Sequence, residues 1–258
     1  MIILRRLYSI WGVFAFSLPF LLFLPFFHLF AKKQQWHIYA SILNRWWANI
    51  FWFLVLMPYR IEYKGKKTDK SPAVYCGNHT SFLDILTMGT IVKGDYLFIG
   101  KEELATIPLF GNMFKKLHIT VNRNNKISAY RTLLKSKEAI DNHQSIVMFP
   151  EGGIISENPP ELAPFKEGAF RLAIEKQVPI IPVTIFYNWY VLPDDEKYLL
   201  SWHSGRAIVH EPIITLGMTN ADIETLKERT YQIIRQPLLE AGMLHSNKKL
   251  AVSSIEKN

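Results

Sequence analysis

Between Leu7 and Phe30 the chain runs for 24 residues without a formally charged side chain, and Leu, Phe, Ile and Trp dominate the run. About 20 apolar residues suffice to cross the hydrocarbon core of a bilayer as a helix, so this segment is expected in a membrane. Arg5-Arg6 and Lys32-Lys33 flank it. With basic residues on both sides, the positive-inside rule selects no orientation, and both ends can lie on one face. A second stretch, Trp46 to Pro58, is aromatic-rich but only about 13 residues long, nearer an interfacial helix than a span. Residues 1–58 are therefore expected to form a membrane-embedded helical hairpin in one leaflet, with Pro19 and Pro25 bending the first helix. The alternative is an ordinary transmembrane anchor. A cleaved signal peptide fits poorly, because the run is too long and no small-residue cleavage site follows it.

The net charge of +8 is concentrated in the same region. Residues 1–70 hold ten basic residues against two acidic ones, and the remainder holds twenty of each. A basic surplus among the most apolar segments suits anionic lipid headgroups and not nucleic acid. Cys76 is the single cysteine, so no intramolecular disulfide or Cys-rich zinc site can form. The expected location is a membrane, with the following domain on its reducing, cytoplasmic face.

After a basic linker, Tyr59 to Lys70, short β-like runs alternate with helical patterns, which predicts an α/β domain with a mixed central sheet flanked by helices over residues 59–245. Strands are predicted at Ala73–Cys76, Tyr96–Ile99, Ile119–Val121, Ile146–Phe149, Ile180–Phe186 and Ala207–His210. Helices are predicted near Phe82–Val92, Ile107–Leu117, Ser128–Asn142, Phe170–Gln177 and Ala221–Ala241. Residues 246–258 read as a polar tail.

The first predicted strand leads into Asn78-His79-Thr80-Ser81-Phe82-Leu83-Asp84. With Thr80 or Ser81 as N-cap, Asp84 falls in the first helical turn and its carboxylate can reach one imidazole nitrogen of His79. The other nitrogen is then free to take a proton from a hydroxyl, which here belongs to the substrate. No Gly-x-Ser-x-Gly elbow surrounds Ser81, so Ser81 reads as a cap and not as a nucleophile.

With His79-x4-Asp84 and three later blocks, the chain resembles the glycerolipid acyltransferase family, which includes 1-acylglycerol-3-phosphate acyltransferases. The later blocks are Lys101-Glu102-Glu103-Leu104 through Val121-Asn122-Arg123, then Phe149-Pro150-Glu151-Gly152 with Phe165-Lys166-Glu167-Gly168, and finally Val178 to Val183. They occur in the family's order between about residues 60 and 215. The resemblance implies transfer of a fatty acyl group from acyl-CoA or acyl carrier protein to a lysophospholipid hydroxyl, without metal or redox cofactor. It implies His79 as general base and Asp84 as its orienting partner, with Asn78 beside them. It further implies Lys101 and Arg123 on the acceptor's phosphate, and Glu151 and Gly152 against its glycerol. The fourth block reads as a buried structural strand.

One departure bears on the acceptor. Where the family commonly continues Glu-Gly with Thr-Arg-Ser, this chain has Gly153-Ile154-Ile155-Ser156, so one phosphate contact is missing and Lys166 or Arg123 is left to compensate. Glycerol-3-phosphate, another lysophospholipid or an aminoacyl lipid would also suit the motif. Two readings from other classes are a metal-dependent phosphohydrolase using His79, Asp84 and Glu151, and a non-enzymatic lipid-binding protein. The latter leaves the ordered blocks unexplained.

Overall fold

The computed structural model describes residues 2–65, 72–122, 125–195 and 197–244. Most of the predicted basic linker beyond Gly65, Arg123 and the tail at 246–258 lie outside the described residues.

The chain opens with a helical hairpin. Helix α1, Ile2–Phe30, continues through Pro19 and Pro25, and α2, His37–Leu54, returns beside it. Helix α2 begins nine residues before the apolar stretch that marked it in the sequence. Its first half carries His37, Ser41, Asn44 and Arg45, whose polarity hid the helical start. Three side chains tie the helices together by donating to main-chain carbonyls: Tyr8 Oη to Val55 at 2.6 Å, Trp11 Nε1 to Leu54 at 2.8 Å and Trp47 Nε1 to Phe16 at 2.8 Å. Each polar tip is thus satisfied while the ring packs, as amphipathic aromatics require. The face of α1 turned away from α2 leaves Leu7, Ile10, Val13, Leu18, Leu21 and Leu22 exposed.

Among the described residues seven strands then form one sheet: β1 Tyr59–Tyr63, β2 Val74–Gly77, β3 Tyr96–Lys101, β4 Ile119–Val121, β5 Ser145–Met148, β6 Ile180–Phe186 and β7 Gly205–Val209. Their order is β1-β7-β6-β2-β5-β3-β4, parallel throughout except between β6 and β7. The helices are α3 Leu83–Ile91, α4 Phe110–Leu117, α5 Lys126–Asp141, α6 Gly168–Lys176, α7 Asn188–Val191 and α8 Ile223–Glu240. Strand β6 is buried at every position, as a strand covered on both faces must be. Pro182 is tolerated in it because the side that lacks an N–H faces β7, where its carbonyl accepts from His210 N at 3.0 Å and the ladder is ending.

Besides the short helix α7, which the sequence reading did not predict, two differences concern this domain. The supposed linker begins with β1, an edge strand whose register sets Glu62 and Arg206 on neighbouring strands, 3.4 Å apart. Helix α4 starts at Phe110 and not Ile107, because Leu109 adopts φ +64° after Pro108 and breaks the helical path. Gly111 is required just after this break: a β-carbon there would stand 2.3 Å from the Ala105 carbonyl oxygen.

Helices α5, α6 and α8 bury one face of the sheet. Helices α3 and α4 cover the other, and the hairpin packs against that side through Phe51, Trp52, Leu83, Leu86 and Leu200. Because β2, β3, β4, β5 and β6 all run the same way, the loops after them meet at one edge of the sheet. In open α/β sheets the carboxyl ends of parallel strands are where ligands bind.

Candidate active site

The loop leaving β2 carries His79, and Asp84 sits in the first turn of α3. Asp84 Oδ2 accepts from His79 Nδ1 at 3.1 Å, from Thr80 N at 2.7 Å and from Ser81 N at 2.8 Å. Asp84 Oδ1 accepts from Asn188 Nδ2 at 2.9 Å. All four partners are donors, and the fully buried carboxylate accepts from each of them. The carboxylate fixes the His79 proton on Nδ1 and leaves Nε2 as the acceptor, the tautomer a general base needs. The imidazole stacks on Phe149 with ring centroids 4.0 Å apart and 17° between planes, which fixes its rotation.

The loop's main chain is held as firmly. His79 N donates to Glu151 Oε1 at 2.7 Å, and Ala163 N donates to Glu151 Oε2 at 2.8 Å. Burial pushes the Glu151 carboxyl up to about 7, while these two N–H donors hold it down and the nearby Asp84 charge adds to the rise. The expected contact between Glu151 and glycerol hydroxyls is thus replaced by a structural one: the side chain is fully buried and both oxygens are engaged by main chain. Glu151→Gln keeps the shape but turns an NH2 group toward one of those N–H donors. It is expected to cost about 1–3 kcal/mol of stability and to lower kcat more than it changes KM, which thermal denaturation and steady-state kinetics will check.

Asn78 is likewise not at a ligand surface. Its side chain is buried, donating to Ile185 O at 3.0 Å and accepting from Ile185 N at 2.7 Å, so it extends the β2–β6 pairing by one rung. Ser81 Oγ donates to Leu192 O at 2.8 Å and accepts from Leu83 N at 3.3 Å, as a cap and not a nucleophile. The N–H groups of His79, Thr80 and Ser81 all go to carboxylates, so none of the three is available to an oxyanion.

Gly152 follows Glu151 with φ +85°, and the Lys166 side chain lies over it: a β-carbon at Gly152 would stand 2.7 Å from Lys166 Nζ. The structure therefore brings Lys166 to the β5 loop, on the same edge as His79. Lys101 closes β3 at this edge too, but its ammonium pairs with Glu103 at 2.9 Å on the surface. Arg123 lies outside the described residues.

Sequence reasoning missed the group behind Asp84. Asn188 Nδ2 also reaches Thr87 Oγ1 at 3.0 Å, Thr87 Oγ1 donates to Tyr59 Oη at 3.0 Å, and Tyr59 Oη reaches Asn188 Oδ1 at 3.4 Å. Burial pushes the Tyr59 phenol well above its ordinary value, so it stays neutral and donates. The available signal was a polar residue two positions beyond a strand that is apolar except for Thr184. Asn188→Ala is expected to leave Asp84 Oδ1 without its donor, lowering stability by about 1.5–3 kcal/mol and slowing turnover by at least about tenfold.

Asp84 and Glu151 spend their oxygens on N–H donors, and among the described residues no three of His, Cys, Asp and Glu are grouped to hold an ion.

Beside the first turn of α3 lies an apolar cavity of about 690 Å³, closed by the hairpin on one side and by α3, α4 and the β3–α4 loop on the other. Phe16, Phe20, Phe82, Leu86, Phe98 and Met113 are among its walls. His118 also lines it, and burial lowers its pKa to about 3, so the ring is neutral and adds no charge.

The sequence profile described as Acyltransferase matches residues 60–186. The chain is 36% identical over 172 residues to an Escherichia coli 1-acyl-sn-glycerol-3-phosphate acyltransferase, covering 65% of this chain and 67% of that one. It is 30% identical over 194 residues to the chloroplastic 1-acyl-sn-glycerol-3-phosphate acyltransferase BAT2 of Brassica napus, where the match covers 73% of this chain but only 54% of that longer protein. The crystal structure of the 1-acyl-sn-glycerophosphate acyltransferase PlsC from Thermotoga maritima superposes with a TM-score of 0.74 at 18% identity, covering 94% of this chain and 99% of that one.

Proposed function

The chain belongs to the acyltransferase family, and from that premise we propose that it moves a fatty acyl group from a thioester to the free hydroxyl of 1-acylglycerol-3-phosphate, giving phosphatidic acid. The observation that carries the reading is the His79 tautomer: Nδ1 is tied to a buried, fully solvated-by-protein Asp84, and Nε2 is left as a base.

The reaction balances with these parts. His79 Nε2 takes the proton as the acceptor oxygen attacks the thioester carbonyl, the C–S bond breaks as the tetrahedral intermediate collapses, and the imidazolium returns the proton to the thiolate. A thioester is already activated, so a positioned base and oriented reactants supply most of what is needed. Asp84 orients His79, while Glu151 and Asn78 hold the loop. Lys166, with Lys101 and Arg123, supplies cations for the acceptor's phosphate, and Gly152 gives Lys166 its place.

The cavity suits the acyl chain, since its volume is that of a typical ligand site and its walls are almost wholly apolar. The hairpin's exposed apolar face supports seating in one leaflet of a bilayer, with the catalytic domain on the cytoplasmic face, where acyl-CoA or acyl carrier protein is supplied. Met113→Trp, which fills the cavity, is expected to shift preference toward shorter donors, at roughly 0.8 kcal/mol for each methylene excluded; competition between donors of different length reads it out.

The test is acyl transfer by the purified full chain in nanodiscs, with labelled acyl-CoA or acyl carrier protein and lysophosphatidic acid, with and without chelator. Phosphatidic acid formed equally in both conditions is the expected result. Product only from glycerol-3-phosphate or from a lysolipid lacking the phosphate would replace the acceptor, and loss of activity with chelator would replace the mechanism.

A further inference from the structure

The stretch from Tyr190, at the end of α7, to Trp202, ahead of β7, does not return directly across the sheet; residue 196 within it lies outside the described residues. The stretch runs along the hairpin and is tied to α1 and to the residues just after α2. Leu200 N donates to Ser9 Oγ at 2.8 Å, Arg5 Nη2 donates to Leu199 O at 3.1 Å, and Trp202 Nε1 donates to Leu56 O at 2.7 Å just beyond α2. The buried Leu200 side chain fills the notch at Gly12, where a β-carbon would stand 2.7 Å from Leu200 Cδ2. These ties fix the segment's outward side chains relative to the outward face of α1.

Those side chains are large aromatics. Tyr190, Tyr198 and Trp202 are 50%, 55% and 59% exposed, beside Leu56 at 73% and Phe53 at 74%. Trp202 has already spent its one donor on Leu56, so what it presents outward is ring. Tyr198 faces Phe82 with ring centroids 6.3 Å apart, and both residues line the apolar cavity. The exposed aromatics therefore continue from the hairpin to the cavity's rim.

We propose that residues 190–195 and 197–202 are a second membrane-contacting element, built into the catalytic domain, which holds the rim of the cavity at the headgroup level of the bilayer. The proposal rests on the reading of the hairpin as bilayer-seated and extends that contact to the domain. Tyrosine and tryptophan are the residues that favour this depth, where one end is apolar and the other wet. In sequence the same segment holds Asp194, Asp195 and Glu196 against Lys197, so the contact is assigned to its aromatic rings and not to attraction to anionic lipid. It is expected to survive high salt.

The experiment is depth measurement by nitroxide labels on the full chain in vesicles of phosphatidylethanolamine and phosphatidylglycerol. Cys76 is buried, so labels go to introduced thiols: Tyr190→Cys and Tyr198→Cys in the segment, Ile10→Cys on the exposed face of α1, and Glu228→Cys on α8, across the sheet. The expected result at both tyrosine positions is a severalfold loss of accessibility to a water-soluble nickel chelate relative to the Glu228 position, with accessibility to oxygen retained. Accessibility equal to that at Glu228 would mean that the segment stands in water, and low accessibility to both reagents would mark a contact with protein, such as a second copy; either overturns the proposal. The Ile10 label reports separately whether the hairpin itself sits in lipid, so failure of that reading is told apart from failure of this one.

Discussion

His79→Ala is expected to lower kcat for acyl transfer by about 10³-fold with little change in melting temperature. In the proposed mechanism the imidazole is the base, so its loss falls on the chemical step and leaves the proposed phosphate contacts and acyl cavity in place. Stability should hold because the buried Asp84 keeps three of its four donors, from Thr80 N, Ser81 N and Asn188 Nδ2. Single-turnover rates with labelled donor will measure the effect directly. Activity within about tenfold of the parent protein would remove His79 from the role of base.

Asp84→Asn is expected to be at least as inactive and, unlike His79→Ala, visibly less stable. If the amide oxygen takes the place of Oδ2, its NH2 group faces the Asn188 NH2; if it takes the place of Oδ1, the NH2 faces His79 Nδ1–H, Thr80 N–H and Ser81 N–H. Either orientation sets donor against donor in a buried site, at about 1–3 kcal/mol for each group left unsatisfied. A fall in melting temperature of roughly 5 °C follows for a chain of this size. The catalytic loss has a separate cause, because an uncharged partner no longer holds the His79 proton on Nδ1; the same change in a serine-protease triad costs about 10⁴ in kcat. An Asp84→Asn protein with normal stability and a small kinetic effect would contradict the buried-carboxylate account.

The sequence alone revealed what depends on short-range spacing. Asp84 lies five residues from His79 across a strand–helix junction, a separation that local geometry converts into contact whatever the rest of the chain does. Strand β6 was legible because seven consecutive buried residues leave no competing periodicity. Other features depended on distant partners. Nothing near Glu151 reveals that its two oxygens will meet N–H groups at positions 79 and 163, so a carboxylate in a loop read as a ligand for substrate. Asn78 was misplaced for the same reason: its partner, Ile185, is 107 residues away. Strand β1 was read as linker because Arg60 and Glu62 give an edge strand the composition of a loop.

The apolar cavity has one further consequence. Phe16 and Phe20 of the hairpin are walls of the same space that Phe98 and Met113 of the α/β domain close from the other side. On the proposed role of this cavity as the acyl site, deleting residues 1–58 is expected to cut that site open and not merely to remove an anchor. Grafting the hairpin of a relative onto this domain is then expected to change which fatty acids appear in the product, so that the part that looks like an address label would also write part of the specificity.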